Sequence, residues 1–168
     1  MSDIPTPENI DQQARLSHKQ NKQFLDWMRK KQPKDLDAVA QATHDEVFEE
    51  VDCLQCANCC KTTGPLFTEK DIERIAAQQR MKPGKFAEIY LRKDEEGDWV
   101  LKSVPCPFLL ADNSCVIYDV RPKACAEFPH TDRRKLYQIN HLTIKNVAIC
   151  PAAYAIVQRM QQHYLTRR

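Results

Sequence analysis

Glycine is scarce in this 168-residue chain, which has only Gly64, Gly84 and Gly97, and these are widely separated. Dinucleotide-binding motifs and P-loops need clustered glycines, because the backbone must approach a phosphate group closely. The sequence therefore excludes both motifs and predicts no nucleotide cofactor. The CxxxCxxC motif typical of radical S-adenosylmethionine chemistry is missing as well.

Long apolar runs are also missing, since no segment approaches the ~18 apolar residues that a membrane-spanning helix requires. Residues 1–7 have neither the basic nor the apolar region of a secretory signal. The formal net charge of +2 is far from the strongly basic balance of nucleic-acid-binding proteins. We therefore expect a cytoplasmic protein that binds no nucleic acid and no membrane.

Cysteine is abundant instead, with eight residues, and four of them form a CxxCxxCC motif at Cys53, Cys56, Cys59 and Cys60. A two-residue gap lets a tight turn aim two thiolates at one metal ion. Two such gaps in succession resemble the cysteine run of bacterial ferredoxins. Because adjacent side chains tend to point in different directions, we expect Cys59 and Cys60 to face different metals or different ligand sets.

The four later cysteines are spread over separate segments. Proline follows two of them, and because proline suits the first helical position, Cys150 is predicted to cap a helix with its sulfur near the helix amides. Such a position favours the thiolate that binds metal. The predicted metal ligands, which are also the predicted cofactor-binding residues, are Cys53, Cys56, Cys59, Cys60, Cys106, Cys115, Cys125 and Cys150.

Other interpretations of these cysteines stay open. Cys115 lies in an apolar run, and cysteine is often a small buried hydrophobic residue. The even count permits disulfides, although a reducing compartment disfavours them. A CxxC redox dithiol normally accompanies a βαβ pattern, which is not found. His130 is the histidine nearest to a cysteine motif and is a further candidate ligand.

The predicted fold is mainly α, a small irregular cysteine-rich metal-binding domain with at most a short β-hairpin. Apolar residues recur at three- and four-residue steps over residues 36–51, and Thr68 with Asp71 predicts a capping box. The hairpin would pair residues 99–101 with residues 115–118. The predicted helices cover 8–31, 36–51, 68–80, 85–92 and 151–165.

Two regions are predicted along the chain. Residues 1–50 form an N-terminal helical arm that packs on the domain, and residues 51–168 form the cysteine-cluster metal-binding domain. The motif at residues 53–60 would supply ligands from one loop, and the later cysteines would converge on it. Phe108, Tyr118 and Phe128 are expected to shield the metal from water.

From Cys53 to Pro151 the chain resembles the YkgJ-type cysteine-cluster family, whose members are described as zinc- or iron-chelating proteins. The resemblance is carried by CxxCxxCC, then CPFL at residues 106–109, CVIYDVRPKAC at residues 115–125, and FP at residues 128–129. Ala57 stands where the family often has glycine, and Ala126 where it often has arginine. A larger relative with this cysteine pattern is the flagellin lysine N-methylase.

Three functions are consistent with the sequence. The leading hypothesis is an iron–sulfur protein, holding a 4Fe-4S cluster, with a redox or accessory role toward a protein partner or client. The alternative is a zinc-binding structural or interaction module in which the metal stabilises a loop-rich core. The third, implied by the resemblance, is a small protein-modifying enzyme; no catalytic constellation can be assigned from the sequence.

Overall fold

The computed structural model describes residues 4–166 and is mainly helical, which confirms the predicted fold class. Within this range, no helix is both long and apolar enough to cross a bilayer. Single 3-10 turns cover Tyr118–Val120 and Leu136–Ile139. The α-helices are α1 (Ile10–Lys31), α2 (Leu36–Glu50), α3 (Cys53–Cys56), α4 (Asn58–Thr62), α5 (Glu69–Gln78), α6 (Pro83–Tyr90), α7 (Lys123–Glu127), α8 (Asn140–Val147) and α9 (Pro151–Leu165).

The described residues form two compact units. The helical unit consists of residues 4–52 and 129–166, and the cysteine unit consists of residues 53–128. Residues 51–168 are predicted to form one domain, whereas the structure groups residues 129–166 with the N-terminal helices. The physical reason is that α9 packs along α2, α8 and α1, so the C-terminal helix shares its core with the N-terminal ones.

The helical unit combines an apolar core with one buried amide network. Met28, Val47 and Met160 are fully buried in that core. Asn21 on α1 is also fully buried, and its side-chain oxygen accepts hydrogen bonds from the amides of Gln158 (2.6 Å) and Gln161 (2.7 Å) on α9. Buried polar groups are costly unless paired, so this network favours one register of α1 against α9.

The cysteine unit contains a small antiparallel sheet of order β1-β3-β2. Its strands are β1 (Leu66–Phe67), β2 (Leu91–Lys93) and β3 (Trp99–Leu101). The predicted pairing of residues 99–101 with 115–118 is therefore wrong. The turn at residues 94–98 brings β2 and β3 together locally, because the Asp94 carboxylate accepts from the amides of Glu96 (3.0 Å) and Asp98 (2.9 Å). Cys115 instead forms an isolated bridge with Leu109.

The core of the cysteine unit lies between α5, α6 and the sheet. Phe86 is fully buried there, and its ring stacks on that of Phe108 with the ring centroids 5.9 Å apart. Cys106 and Cys115 pack against the same cluster of buried residues. The aromatic core thus packs against two of the cysteines. Tyr118, which is predicted to shield a metal from water, is instead 40% exposed.

Candidate metal centre

The CxxCxxCC motif forms two short helical turns rather than one open loop. Cys53 and Cys56 begin and end α3, and the amide of Ala57 donates to the carbonyl of Cys53 (2.8 Å). Ala57 then adopts the left-handed conformation, with φ of 48°, and the chain enters α4, which carries Cys59 and Cys60. The left-handed residue changes the direction of the chain between the two pairs of cysteines.

This backbone geometry explains why glycine suits the position of Ala57. A left-handed conformation costs an L-residue roughly 1–2 kcal/mol, and β-branched residues are the least tolerant of it. Ala57 is also 3% exposed, so a larger side chain would have to displace its neighbours. The glycine that the resemblance implies at this position would adopt the left-handed turn without this cost.

We expect Ala57→Val to destabilise the protein by about 2 kcal/mol, because it adds a β-branched side chain at a buried left-handed position. Urea unfolding followed by circular dichroism would measure the free energy of unfolding. Ala126→Val, on an exposed position of α7, is the matched control and should cost only about 0.5 kcal/mol. Equal effects of the two substitutions would contradict this account.

Four cysteines from four segments form one electrostatic cluster, which we call the quartet: Cys60, Cys106, Cys115 and Cys125. In addition to burial, the charge of Cys60 raises the pKa of each of the other three thiols, and Cys125 is acted on by Cys60, Cys106 and Cys115 together. The amide of Cys106 also donates to the carbonyl of Cys60 (2.8 Å), which joins the segment after β3 to α4. The structure therefore brings together half of the predicted ligands.

The segment from Cys106 to Cys115 folds back on itself through a turn at residues 112–114. The amide of Leu110 donates to the carbonyl of Ser114 (2.8 Å), and Asp112 accepts from the Ser114 hydroxyl (2.6 Å). The side chain of Asn113 donates to the carbonyl of Gln55 (2.8 Å), which lies in α3. This turn fixes the two cysteines at the ends of the segment and ties them to the CxxCxxCC motif.

Burial and mutual repulsion keep three of the quartet thiols protonated. Burial raises the pKa of Cys106 and of Cys115, and raises that of Cys125 to about 12, with the neighbouring quartet thiols adding to the shift. Metal ions bind the thiolate, so loading these sites must displace protons. When these neighbouring thiols ionise, their negative charges repel one another. A bound cation would stabilise the ionised forms by offsetting that repulsion.

Cys60 is the exception within the quartet. A hydrogen bond from the Cys59 thiol lowers the pKa of Cys60 to about 7, burial opposes this shift, and the charge of Lys61 adds to it. Arg121 provides a second cation, since its charge lowers the pKa of Cys115 and Cys125 against the effect of burial. Its guanidinium lies 4.0 Å from the centroid of the Tyr118 ring. A partly ionised thiol, Cys60, and two nearby cations, Lys61 and Arg121, are thus present before any metal binds.

The other predicted ligands lie outside the quartet. Cys53 is exposed, and Cys56 and Cys59 are half-buried, all in the CxxCxxCC turns. Cys150 belongs to the helical unit, where its sulfur accepts from the amide of Ala153 (3.4 Å) and caps α9, as predicted. His130 also belongs to the helical unit, in a left-handed conformation. None of the eight cysteines, all of which lie within residues 4–166, forms a disulfide bond, so the disulfide interpretation has no counterpart in the structure.

The spacing of the sulfurs limits the kind of metal that fits without rearrangement. Four thiolates around one zinc ion lie about 2.3 Å from it and so about 3.8 Å from one another. Among residues 4–166, no three cysteine sulfurs all lie within 4.8 Å of one another. Asp94, Glu96 and Asp98 meet that distance, but they belong to a mostly exposed turn. The quartet is therefore wider than a shell around one zinc ion, while its all-sulfur donor set suits zinc or iron.

A model of the CxxCxxCC family, described as "Putative zinc- or iron-chelating domain", matches residues 52–151. The match covers all eight cysteines and more than half of the chain. Comparison with curated proteins and with solved structures found no significant match. The match and the cysteine geometry agree with the resemblance seen in the sequence, and the chain belongs to the CxxCxxCC family of zinc- or iron-chelating domains.

Proposed function

We propose that this protein is an iron–sulfur protein whose quartet, Cys60, Cys106, Cys115 and Cys125, holds a 4Fe-4S cluster. The observation that carries the proposal is the mutual interaction of four thiols from four segments at spacings wider than a single zinc ion requires. A four-iron cluster takes one thiolate per iron, and its ligands lie further apart than those of a single ion. The family description, which includes iron, supports the same assignment.

The residues around the quartet suit a bound cluster. The half-buried thiols Cys106 and Cys115 pack on the aromatic core, which excludes water on one side. Arg121 supplies positive charge near Cys115 and Cys125, which would offset the negative charge of four thiolates and their cluster. Hydrogen bonds, charge and solvent exposure set the potential of such centres. When bound, the cluster would supply one-electron redox chemistry.

The proposed role is redox or accessory, toward a protein partner or client. All four quartet thiols are only partly buried within their unit, so a centre on them would lie near the surface. Electron transfer to another protein requires such proximity. Cys53, Cys56 and Cys59 remain proposed ligands for a second centre, and Cys150 remains a proposed ligand in the helical unit.

The direct test is to purify the protein without oxygen and measure iron, zinc and acid-labile sulfide per chain together with an absorption spectrum. We expect iron and sulfide in equal amounts and broad absorption near ~400 nm, from thiolate- and sulfide-to-iron charge transfer. Exposure to air should bleach this absorption. Protein free of iron and sulfide, even after reconstitution with both, would sink the proposal.

The second candidate function is a zinc-binding structural or interaction module. The family description names zinc as well as iron. The quartet also has four thiols, which is the number of ligands in a closed zinc site. This function would require the quartet to contract around the ion. Zinc as the sole metal, at one or two per chain, in a colourless protein that unfolds on chelation would establish it in place of the cluster.

A further inference from the structure

Cys125 is carried by a segment that has little structure of its own. It lies in α7, a helix of five residues whose first position follows Pro122, with no side-chain cap from its own N-cap residue. The amide of Cys125 donates to the carbonyl of Pro122 (2.9 Å), so the position of this thiol follows that of the preceding backbone. Something outside the segment must hold residues 120–123 in place.

Two side chains on α5 hold this backbone. Arg74 donates from Nε to the carbonyl of Val120 (3.3 Å) and from Nη2 to the carbonyl of Arg121 (2.8 Å). Asp71 Oδ1 accepts from the amide of Lys123 (3.1 Å), which is the first amide of α7. The two α5 residues therefore contact three of the four residues that lead into the helix of Cys125.

Asp71 and Arg74 also hold each other. Arg74 Nη2 donates to Asp71 Oδ1 (2.7 Å), and the second carboxylate oxygen accepts from the amide (2.9 Å) and hydroxyl (2.7 Å) of Thr68. Asp71 is 1% exposed. Burial raises the pKa of this carboxyl, but the bonds from Thr68, Arg74 and Lys123 outweigh burial and hold it below the usual value. The carboxylate is thus charged, fully bonded and fixed on α5.

From this geometry we propose that Asp71 and Arg74 are positioning residues for the metal centre: they clamp residues 120–123 and so hold Cys125 beside the other three quartet thiols. The inference rests on the proposed function, because it assigns these two residues to the ligand set of that centre. The planar guanidinium suits the task, since it can bond two carbonyls and a carboxylate at once. Neither residue is itself a proposed metal ligand.

The test compares Arg74→Gln with Thr68→Ala in the full chain. Arg74→Gln removes the bonds to the Val120 and Arg121 carbonyls and leaves the capping box of α5 intact. Thr68→Ala weakens the capping box and one of the bonds that hold Asp71, and it leaves Arg74 with its bonds to the Val120 and Arg121 carbonyls. Both variants should lower the melting temperature of the protein, so stability alone does not distinguish the two substitutions.

Two measurements do distinguish them. Release of bound metal to an excess of chelator should be about tenfold or more faster in Arg74→Gln than in the wild type, as for other residues that orient metal ligands, and near wild-type in Thr68→Ala. In metal-free protein, alkylation of Cys125 by iodoacetamide, followed by mass spectrometry, should be several-fold faster in Arg74→Gln only. Arg74→Lys keeps the positive charge but loses the planar guanidinium that bonds two carbonyls at once. Its rates of metal release and of Cys125 alkylation should lie between those of Arg74→Gln and Thr68→Ala.

The outcomes separate this inference from the proposed function. Wild-type protein that holds neither iron nor zinc would refute the proposed function, and the role at a metal centre with it, whatever the alkylation rates. Wild-type protein that holds metal, with equal metal release and equal Cys125 alkylation in Arg74→Gln and Thr68→Ala, would overturn the clamp alone.

Discussion

Cys125→Ser should remove the whole metal centre of the quartet, not a fraction of it. A serine hydroxyl does not replace a thiolate as a soft ligand, and the three remaining thiols would lose the cation that offsets their mutual repulsion. The iron and sulfide measured per chain should fall by the amount that one cluster contains. The visible absorption should fall in the same proportion. Cys60→Ser, Cys106→Ser and Cys115→Ser should each cause the same loss, because four identical losses define one centre.

Cys53→Ser is the matched control for these variants. It changes an exposed cysteine of the same unit that lies in α3, one short helix before the α4 helix that carries Cys60. The quartet's iron should survive this substitution, and any metal lost should belong to a separate centre with its own spectral change. If Cys53→Ser and Cys125→Ser each removed the same single centre, Cys53 would belong to the ligand set of the quartet's centre and the quartet would be the wrong set of ligands.

Alkylation of the metal-free protein at pH 7 should be much faster at Cys60 than at Cys125. With a pKa of about 7, roughly half of Cys60 is thiolate at that pH, whereas a pKa of about 12 leaves about one Cys125 in 10⁵ ionised. The greater nucleophilicity of a high-pKa thiolate offsets part of this difference, which leaves a rate ratio of about a hundred or more. Peptide mass spectrometry after timed exposure to iodoacetamide would measure both rates.

The pH dependence of these rates tests the sign of each shift. The Cys60 rate should rise through pH 7 and then level off, since a lowered pKa places its ionisation there, whereas the Cys106, Cys115 and Cys125 rates should still be rising above pH 9. Cys59→Ala, which removes the hydrogen-bond donor to Cys60, should move the Cys60 midpoint upward. In protein unfolded by guanidinium, the differences between the alkylation rates of these cysteines should disappear. Rate differences that persisted there would arise from the local sequence rather than from the fold.

Much of the helical structure follows from local signals in the sequence. The α2 stripe of Leu36, Ala40, Thr43 and Val47 is buried, as the three- and four-residue spacing predicts. The capping box of Thr68 and Asp71 opens α5, and α9 runs over the predicted residues 151–165. These features are decided within one or two turns of chain, where capping and periodicity act.

Other elements could not be predicted because distant residues decide them. Helix α8 has no clear apolar stripe, and its buried positions include the polar residues Thr143 and Asn146. Asn146 is satisfied there by donating to the carbonyl of Pro129 (3.1 Å). Residues 115–118 have strand-forming side chains, yet β3 pairs with β1 and β2 because the turn at residues 94–98 connects β2 to β3 directly.

The sequence by itself determined the chemistry and the family of this protein, because eight cysteines with ligand-like spacing and a CxxCxxCC motif depend only on residue type and order. It also raised the expectation that Cys59 and Cys60 serve different purposes. Which thiols meet was decided only by the tertiary structure. Cys60, Cys106, Cys115 and Cys125 are up to 65 residues apart, and they come together through a left-handed turn, a folded-back loop and a clamp on α5. No local spacing encodes such a convergence, since it depends on packing between segments that are remote in the chain.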